Sequence, residues 1–197
     1  MLKLPESVRI GYDVSSQEVV LHSAAPCPVP IKAEMIEWWG PVITEYNGAS
    51  DGHGATSIGS EDWQENRGSV GHTNVGTISN MDVGKRDRQP GEIGTIYFDD
   101  GSDFSYHNAP EKTAEAKLAN GWATVGDVGY VDSEGYLYLT DRKSNMIISG
   151  GVNVYPQETE NLLITHPKIE DVAVFGVPNE EFGEEVKAVV QPIDFST

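Results

Sequence analysis

Apolar residues along this chain recur at either helical or strand spacing, and the changes between the two mark its elements. Ile31, Met35, Ile36 and Trp39 repeat at helical spacing, so a helix is expected over 31–39, stopped by Gly40-Pro41. Before it, Val19-Val20-Leu21 is a short apolar run that reads as a buried strand, halted by Ala25-Pro26-Cys27-Pro28-Val29-Pro30. Residues 42–46 read as a strand entering the glycine-rich loop Asn47-Gly-Ala-Ser-Asp-Gly-His-Gly54. From 68 to 106 the pattern is short strands and turns. Gly94-Thr-Ile-Tyr-Phe98 is the clearest strand, and Asp99-Asp100-Gly101 a hairpin-like turn. Pro110 suits the first turn of a helix expected to run to Asn120, with Gly121 as its C-cap. Residues 129–131 and 136–140 are expected to form a hairpin around Asp132-Ser-Glu-Gly135.

After Arg142 the character changes. Strands are expected at 146–148 and 152–155, on either side of Gly150-Gly151. Pro156 opens a helix with Glu158 and Glu160 in its first turns, where the helix dipole favours acids, and it ends before Pro167. Two more strands follow at 172–177 and 186–190. The order β-β-α-β-β describes a small α+β unit, with a junction near 141–144.

Composition narrows the function classes. The chain has 197 residues, with 13 Lys plus Arg against 31 Asp plus Glu, a formal charge of −18. That field repels nucleic-acid phosphates and anionic lipid, so neither is an expected partner. No apolar run approaches the ~18 residues of a membrane span. Cys27 is the single cysteine, which excludes an internal disulfide or a cysteine metal cluster and makes a reducing, cytoplasmic setting the default. The five histidines have no metal-ligand spacing. His53 stands near Ser50 and Asp51, but residues so close within one loop rarely converge as a triad.

Four constellations carry chemistry. Tyr46-Asn-Gly-Ala-Ser-Asp-Gly52 leads from a strand into small residues with adjacent hydroxyl and carboxylate groups, suited to a phosphate and Mg²⁺; taken alone, it is also an ordinary glycine turn. Asp127, within Gly121-Trp-Ala-Thr-Val-Gly-Asp-Val-Gly129, could accept two hydrogen bonds from a ribose diol, or be a turn aspartate. Asp141-Arg142-Lys143 is a cationic cluster in an acidic chain, suited to a phosphate or ribose hydroxyl, or to a surface salt bridge. Ser149-Gly-Gly151 offers bare backbone to a bound chain, or a β-bulge.

In this order and spacing the four resemble the AMP-forming acyl-CoA synthetases of the adenylate-forming superfamily. The likeness runs from Leu2-Lys-Leu-Pro5 to Gly183-Glu-Glu-Val-Lys-Ala-Val-Val190 and is most specific over 138–160. It implies a mixed α/β and α+β fold: 1–141 as the rear of the large domain, with barrel-like strands, and 142–197 as the first part of the small mobile C-terminal domain. It implies ATP or AMP, Mg²⁺ and coenzyme A as ligands and a small-molecule carboxylate as substrate. Ala25 and Pro26 fall in the loop lining the adenine and acyl pockets, beside Tyr46 and Asn47. Ser50 falls on the hydroxyl that meets the α-phosphate, and Asp51 on the Mg²⁺-binding carboxylate. Asp127 and Arg142 fall on the ribose-holding pair, Ser144 on the hinge, and Gly150 and Gly151 beside the pantetheine tunnel.

The sequence departs from the family pattern at several of these positions. Asp51 is one methylene shorter than the usual glutamate, Asn47 stands where an adenine-stacking tyrosine is usual, and Ser144-Asn145 replaces more acidic or charged hinge residues. No Ser/Thr/Gly-rich phosphate loop ending in lysine is found, nor the family's C-terminal lysine. These 197 residues alone are therefore expected to adenylate poorly. The alternatives are a non-catalytic nucleotide- or CoA-binding remnant and an adenylating enzyme serving a carrier protein. A core built on about 55 residues is marginal, so 143–197 is expected to be partly disordered or to form homo-oligomers through exposed strand edges.

Overall fold

The computed structural model describes residues 1–49, 52–82, 84–101 and 103–194. Three four-stranded sheets organise them. After the short helix α1 (Glu6–Arg9), the first sheet is built from β1 (Val20–His22), β2 (Ile43–Gly48), β3 (Ala55–Gly59) and β4 (His72–Thr73), in that order. β1 and β2 are parallel, and the remaining pairs are antiparallel. A parallel pair needs a crossover, and α2 (Val29–Trp39) supplies it.

α2 starts two residues before the periodic stretch because Pro30 sits in its first turn, where a missing N–H costs nothing. Gly40 caps it with φ 81°. Its apolar stripe buries Ile36 against Ile43, Ile58 and Trp63. Trp63 lies on α3 (Ser60–Glu65), which, like β3, has no counterpart in the expected elements.

The second sheet has the order β5 (Thr77–Met81), β6 (Gly94–Asp99), β7 (Asp127–Val131), β8 (Leu137–Arg142). Ile96, Phe98 and Leu137 form its core. The hairpin of β7 and β8 appears as expected. Asp99-Asp100-Gly101 is not a hairpin turn: β6 pairs with β5 and β7, and Phe98 bridges Ala123. Asp100 is instead turned inward by contacts described below. α4 (Pro110–Ala116) stops four residues before Asn120. Thr124 N–H donates to the Ala116 carbonyl and Leu118 N–H to Trp122, so backbone pairing with the next segment ends the helix. Gly121, at φ 94°, belongs to that tight turn and is not a helix cap.

The first two sheets meet where the Leu137 N–H donates to the Gly71 carbonyl, and the Leu137 carbonyl accepts from the Val70 N–H and the Ser69 hydroxyl. Beyond a 3-10 turn (Lys143–Asn145) comes the third sheet, ordered β10 (Val152–Val154), β9 (Ile147–Ser149), β12 (Gly183–Pro192), β11 (Ile169–Asn179). α5 (Pro156–Leu163) packs on β11, and Glu160 accepts the Val174 N–H. β11 and β12 pair over nearly their full lengths and extend past the apolar cores that marked them. Phe175, Val186 and Val189 remain 43%, 44% and 51% exposed, so part of this sheet's apolar surface faces solvent.

Candidate nucleotide site

The register of β1 on β2 places His22 opposite Glu45. Two loops therefore leave the same end of a parallel pair side by side, one carrying Ala25 and Pro26, the other following Tyr46 and Asn47. Ligands of open α/β sheets bind beyond the carboxyl ends of strands for this reason. Ala25 and Pro26 are exposed, and Tyr46 is 46% exposed because β2 alternates and turns Ile43 and Glu45 inward. Ser50 and Asp51, the candidate phosphate and Mg²⁺ residues, lie outside the described residues. Among the described residues no group of three or more His, Cys, Asp or Glu could hold a metal.

Ala24 adopts φ 72°, a left-handed conformation that costs a residue with a Cβ about 1–2 kcal/mol. Strain of this kind concentrates in ligand-holding loops. Ala24→Gly removes it but adds chain entropy to the unfolded state, so a net gain of about 0.5–1 kcal/mol is expected. Urea denaturation measures it, and an unchanged or lower midpoint would refute the strain.

Asp127 opens β7, and its register partner is Arg142 at the end of β8. Arg142 Nε stands 3.4 Å from Asp127 Oδ1, the carboxylate side chain 9% exposed and the guanidinium side chain 64%. Burial raises the Asp127 carboxyl above its ordinary value, and the Arg142 charge only partly opposes this. A largely solvated cation is screened, so desolvation prevails. The result is an inward carboxylate beside an outward guanidinium with free reach.

The hinge candidate Ser144 is exposed in the 3-10 turn. Asp141, expected at the junction near 141–144 and beside the cations Arg142 and Lys143, holds this turn. Its Oδ1 accepts from Arg142 N–H and Asn145 Nδ2, and its Oδ2 accepts from Gln157 N–H in the first turn of α5. Gly150 and Gly151 form a two-residue hairpin loop between Ser149 and Val152, at φ 57° and 81°. Left-handed backbone at both positions belongs to the primed turns that match strand twist, not to a bulge. Gly150 N–H donates to the Phe182 carbonyl, while no atom lies within 4 Å of where a Gly151 Cβ would be, leaving that backbone open.

His53 is 1% exposed; the Ser50 and Asp51 of the triad reading lie outside the described residues. Its Nε2 lies 2.9 Å from the Ala123 carbonyl oxygen, which can only accept, so Nε2 carries a proton; Nδ1 lies 3.1 Å from Asp100 Oδ1. Asp100 Oδ2 also accepts the Gly54 N–H at 2.7 Å. Asp100 thus pins the segment that follows Asp51 to the end of β6. Nothing local in the sequence marks that role, because its partners lie 46 and 47 positions away.

The profile of the AMP-binding enzyme C-terminal domain matches residues 158–195. A long-chain-fatty-acid–CoA ligase of Bacillus subtilis is 37% identical over 184 residues, covering 91% of this chain and 32% of that protein. The solved o-succinylbenzoate CoA synthetase of Bacillus subtilis, in complex with its acyl-adenylate intermediate, superposes with a TM-score of 0.79 at 28% identity, covering 98% of this chain and 38% of that one. The chain belongs to the AMP-forming acyl-CoA synthetases of the adenylate-forming superfamily. Their mixed α/β architecture is therefore its own, and it spans about a third of the relatives' length. The solved amide bond synthetase McbA of Marinactinospora thermotolerans shares this fold, with a TM-score of 0.82 at 30% identity over 95% of this chain and 39% of that one. In this synthetase-family chain, no described helix is long and apolar enough to cross a membrane.

Proposed function

We propose that this chain carries the ribose-holding part of the nucleotide site of an ATP-dependent acyl-CoA ligase, which joins a small-molecule carboxylate to coenzyme A with release of AMP and pyrophosphate. The carrying observation is the Asp127–Arg142 pair: a buried carboxylate that can accept both hydroxyls of a ribose, flanked by a cation free to reach the same sugar. Ala25 and Pro26 sit on the loop after β1, and Tyr46 and Asn47 on the last residues of the neighbouring strand β2, which runs on to Gly48 instead of opening into a loop at Asn47; together they are suited to the adenine. Gly151 offers open backbone to the pantetheine arm of CoA, while Gly150, whose N–H is bonded to the Phe182 carbonyl, holds the hairpin that presents it. Ser144 lies in the turn between the second and third sheets, the hinge of a two-domain division at 141/142. Bound Mg²⁺ would supply charge at the phosphates, with Ser50 and Asp51 assigned to that end by resemblance alone. The setting is cytoplasmic, the metabolism that of fatty acids, and self-association would use the outer strands β10 and β11.

Calorimetric titration of the purified chain with AMP and with 2′,3′-dideoxy-AMP tests the reading. A site built to bond a diol rejects the analogue that lacks it, so a loss of about tenfold or more is expected. Equal affinity for the two nucleotides would sink the assignment of Asp127 to the ribose.

A further inference from the structure

The two loops of the proposed nucleotide site rest on a buried charge cluster that no motif announces. Lys32, on α2, is 1% exposed. Its ammonium lies 2.5 Å from Glu45 Oε2 and 4.6 Å from the centroid of the Trp63 ring. Glu45 Oε1 faces His22 Nδ1 at 3.6 Å, and that nitrogen has no hydrogen-bond partner among the described residues. Glu45 therefore lies between α2 and the end of β1. His22 is the last residue before the loop of Ala25 and Pro26, and Glu45 immediately precedes Tyr46 and Asn47.

A buried ion pair adds little net stability over an apolar pair of the same volume, whereas removing one partner strands a desolvated charge. Stability alone therefore gives no reason for charges at 32 and 45, but geometry does. The ammonium fixes the carboxylate, and the carboxylate has one remaining oxygen to set against β1. We propose that Lys32 is a positioning residue of the nucleotide site: acting through Glu45 on His22, it sets the spacing between the Ala25-Pro26 loop and the end of β2 that carries Tyr46 and Asn47. The inference rests on the ribose reading for its ligand, but the structure provides a reporter that needs no ligand. Cys27 ends the first loop, half-buried beside an apolar cleft of about 520 Å³ lined by Leu21, Ile31, Met35 and Trp39. Burial and then the Glu45 charge push its thiol up to about 11, while Lys32 pulls the other way.

The test compares the wild-type chain with Lys32→Met and with Lys32→Met/Glu45→Met. Three quantities are read: melting temperature, the rate of Cys27 alkylation by iodoacetamide, and AMP affinity. Lys32→Met alone should melt lower, and the double variant should recover most of that loss. In the double variant Cys27, compared at equal thiolate fraction from its pH–rate profile so that loss of the Glu45 charge cancels, should still react about tenfold faster. AMP should bind about tenfold more weakly, because the two strand ends have lost their common anchor. Wild-type alkylation rate and AMP affinity in a well-folded double variant would overturn the proposal. A wild-type chain that binds no AMP removes the nucleotide reading, and the Cys27 rate then decides the positioning role alone. Should the double variant not fold, His22→Leu cuts only the link to β1 and is expected to raise the Cys27 rate similarly; an unchanged rate there is equally fatal.

Discussion

Asp127→Asn is expected to stabilise the folded chain at pH 7 while weakening AMP binding by about tenfold or more. Both effects come from the same desolvation. Burial holds the Asp127 carboxyl above the 3.8 it has when unfolded, and Arg142 offsets only part of that. The folded state therefore binds this proton more tightly than the unfolded state does. The group's stabilising contribution is complete below pH 3.8 and is lost as pH rises through the folded value. At neutral pH the wild type keeps a costly buried carboxylate, which the amide replaces without charge. The ribose would lose a carboxylate able to accept from both hydroxyls and meet an amide with one accepting oxygen. Urea denaturation of both proteins at pH 7 and near pH 4 checks the stability half. The advantage of the variant should shrink at the lower pH, and taking the difference cancels carboxyls such as Asp82 and Asp103, whose values are lowered by their partners. A variant less stable than wild type at pH 7 would show that the Arg142 pairing outweighs desolvation.

Gly71→Ala carries the largest expected loss of stability, about 3 kcal/mol or more. Gly71 has φ 90°, and a Cβ there would lie 1.9 Å from the Ser57 carbonyl oxygen and 2.4 Å from its carbon. Neither atom can retreat: Ser57 is paired with both His72 and Tyr46, and Gly71 itself bridges Leu137, which is fully buried. The substitution thus wedges apart the joint between the first two sheets. Gly40→Ala is the control. Gly40 has a similar φ of 81° but nothing within 4 Å of its Cβ position, so it should lose only the conformational cost of about 1–2 kcal/mol. Denaturation midpoints that fall equally for the two variants would mean that close approach at Gly71 contributes nothing.

Much of the chain was legible where the controlling forces are local. The stripe Ile31-Met35-Ile36-Trp39 and the stop at Gly40 mark α2 because a helix face repeats within a few residues. Pro156 marks the start of α5, and Asp132 to Gly135 the β7–β8 hairpin, through backbone geometry of the residues themselves. Spacing and resemblance also named Asp127 and Arg142 from segments 15 positions apart, and the register of two adjacent strands puts them in contact. β3 and α3 were not legible, because Ile58 and Trp63 are too few apolar positions to set a period and become core only against Ile36 and Ile43. The extent of α4 was misjudged for a related reason: good helix formers lose to backbone pairing with a later segment.

The loops of the ribose and adenine reading thus divide between two kinds of cause. By itself the sequence determined the strongly patterned elements such as α2, α5 and the β7–β8 hairpin, the acidic surface and the family, since periodicity, capping residues and motif spacing act along the chain. Tertiary structure alone decided which polar groups are buried and what they face: Lys32 against Glu45, Asp100 against His53, and Asp127 sunk beside an exposed Arg142. The physical reason is range. Desolvation and ion pairing depend on distances through space, and those distances exist only once segments tens of residues apart have packed.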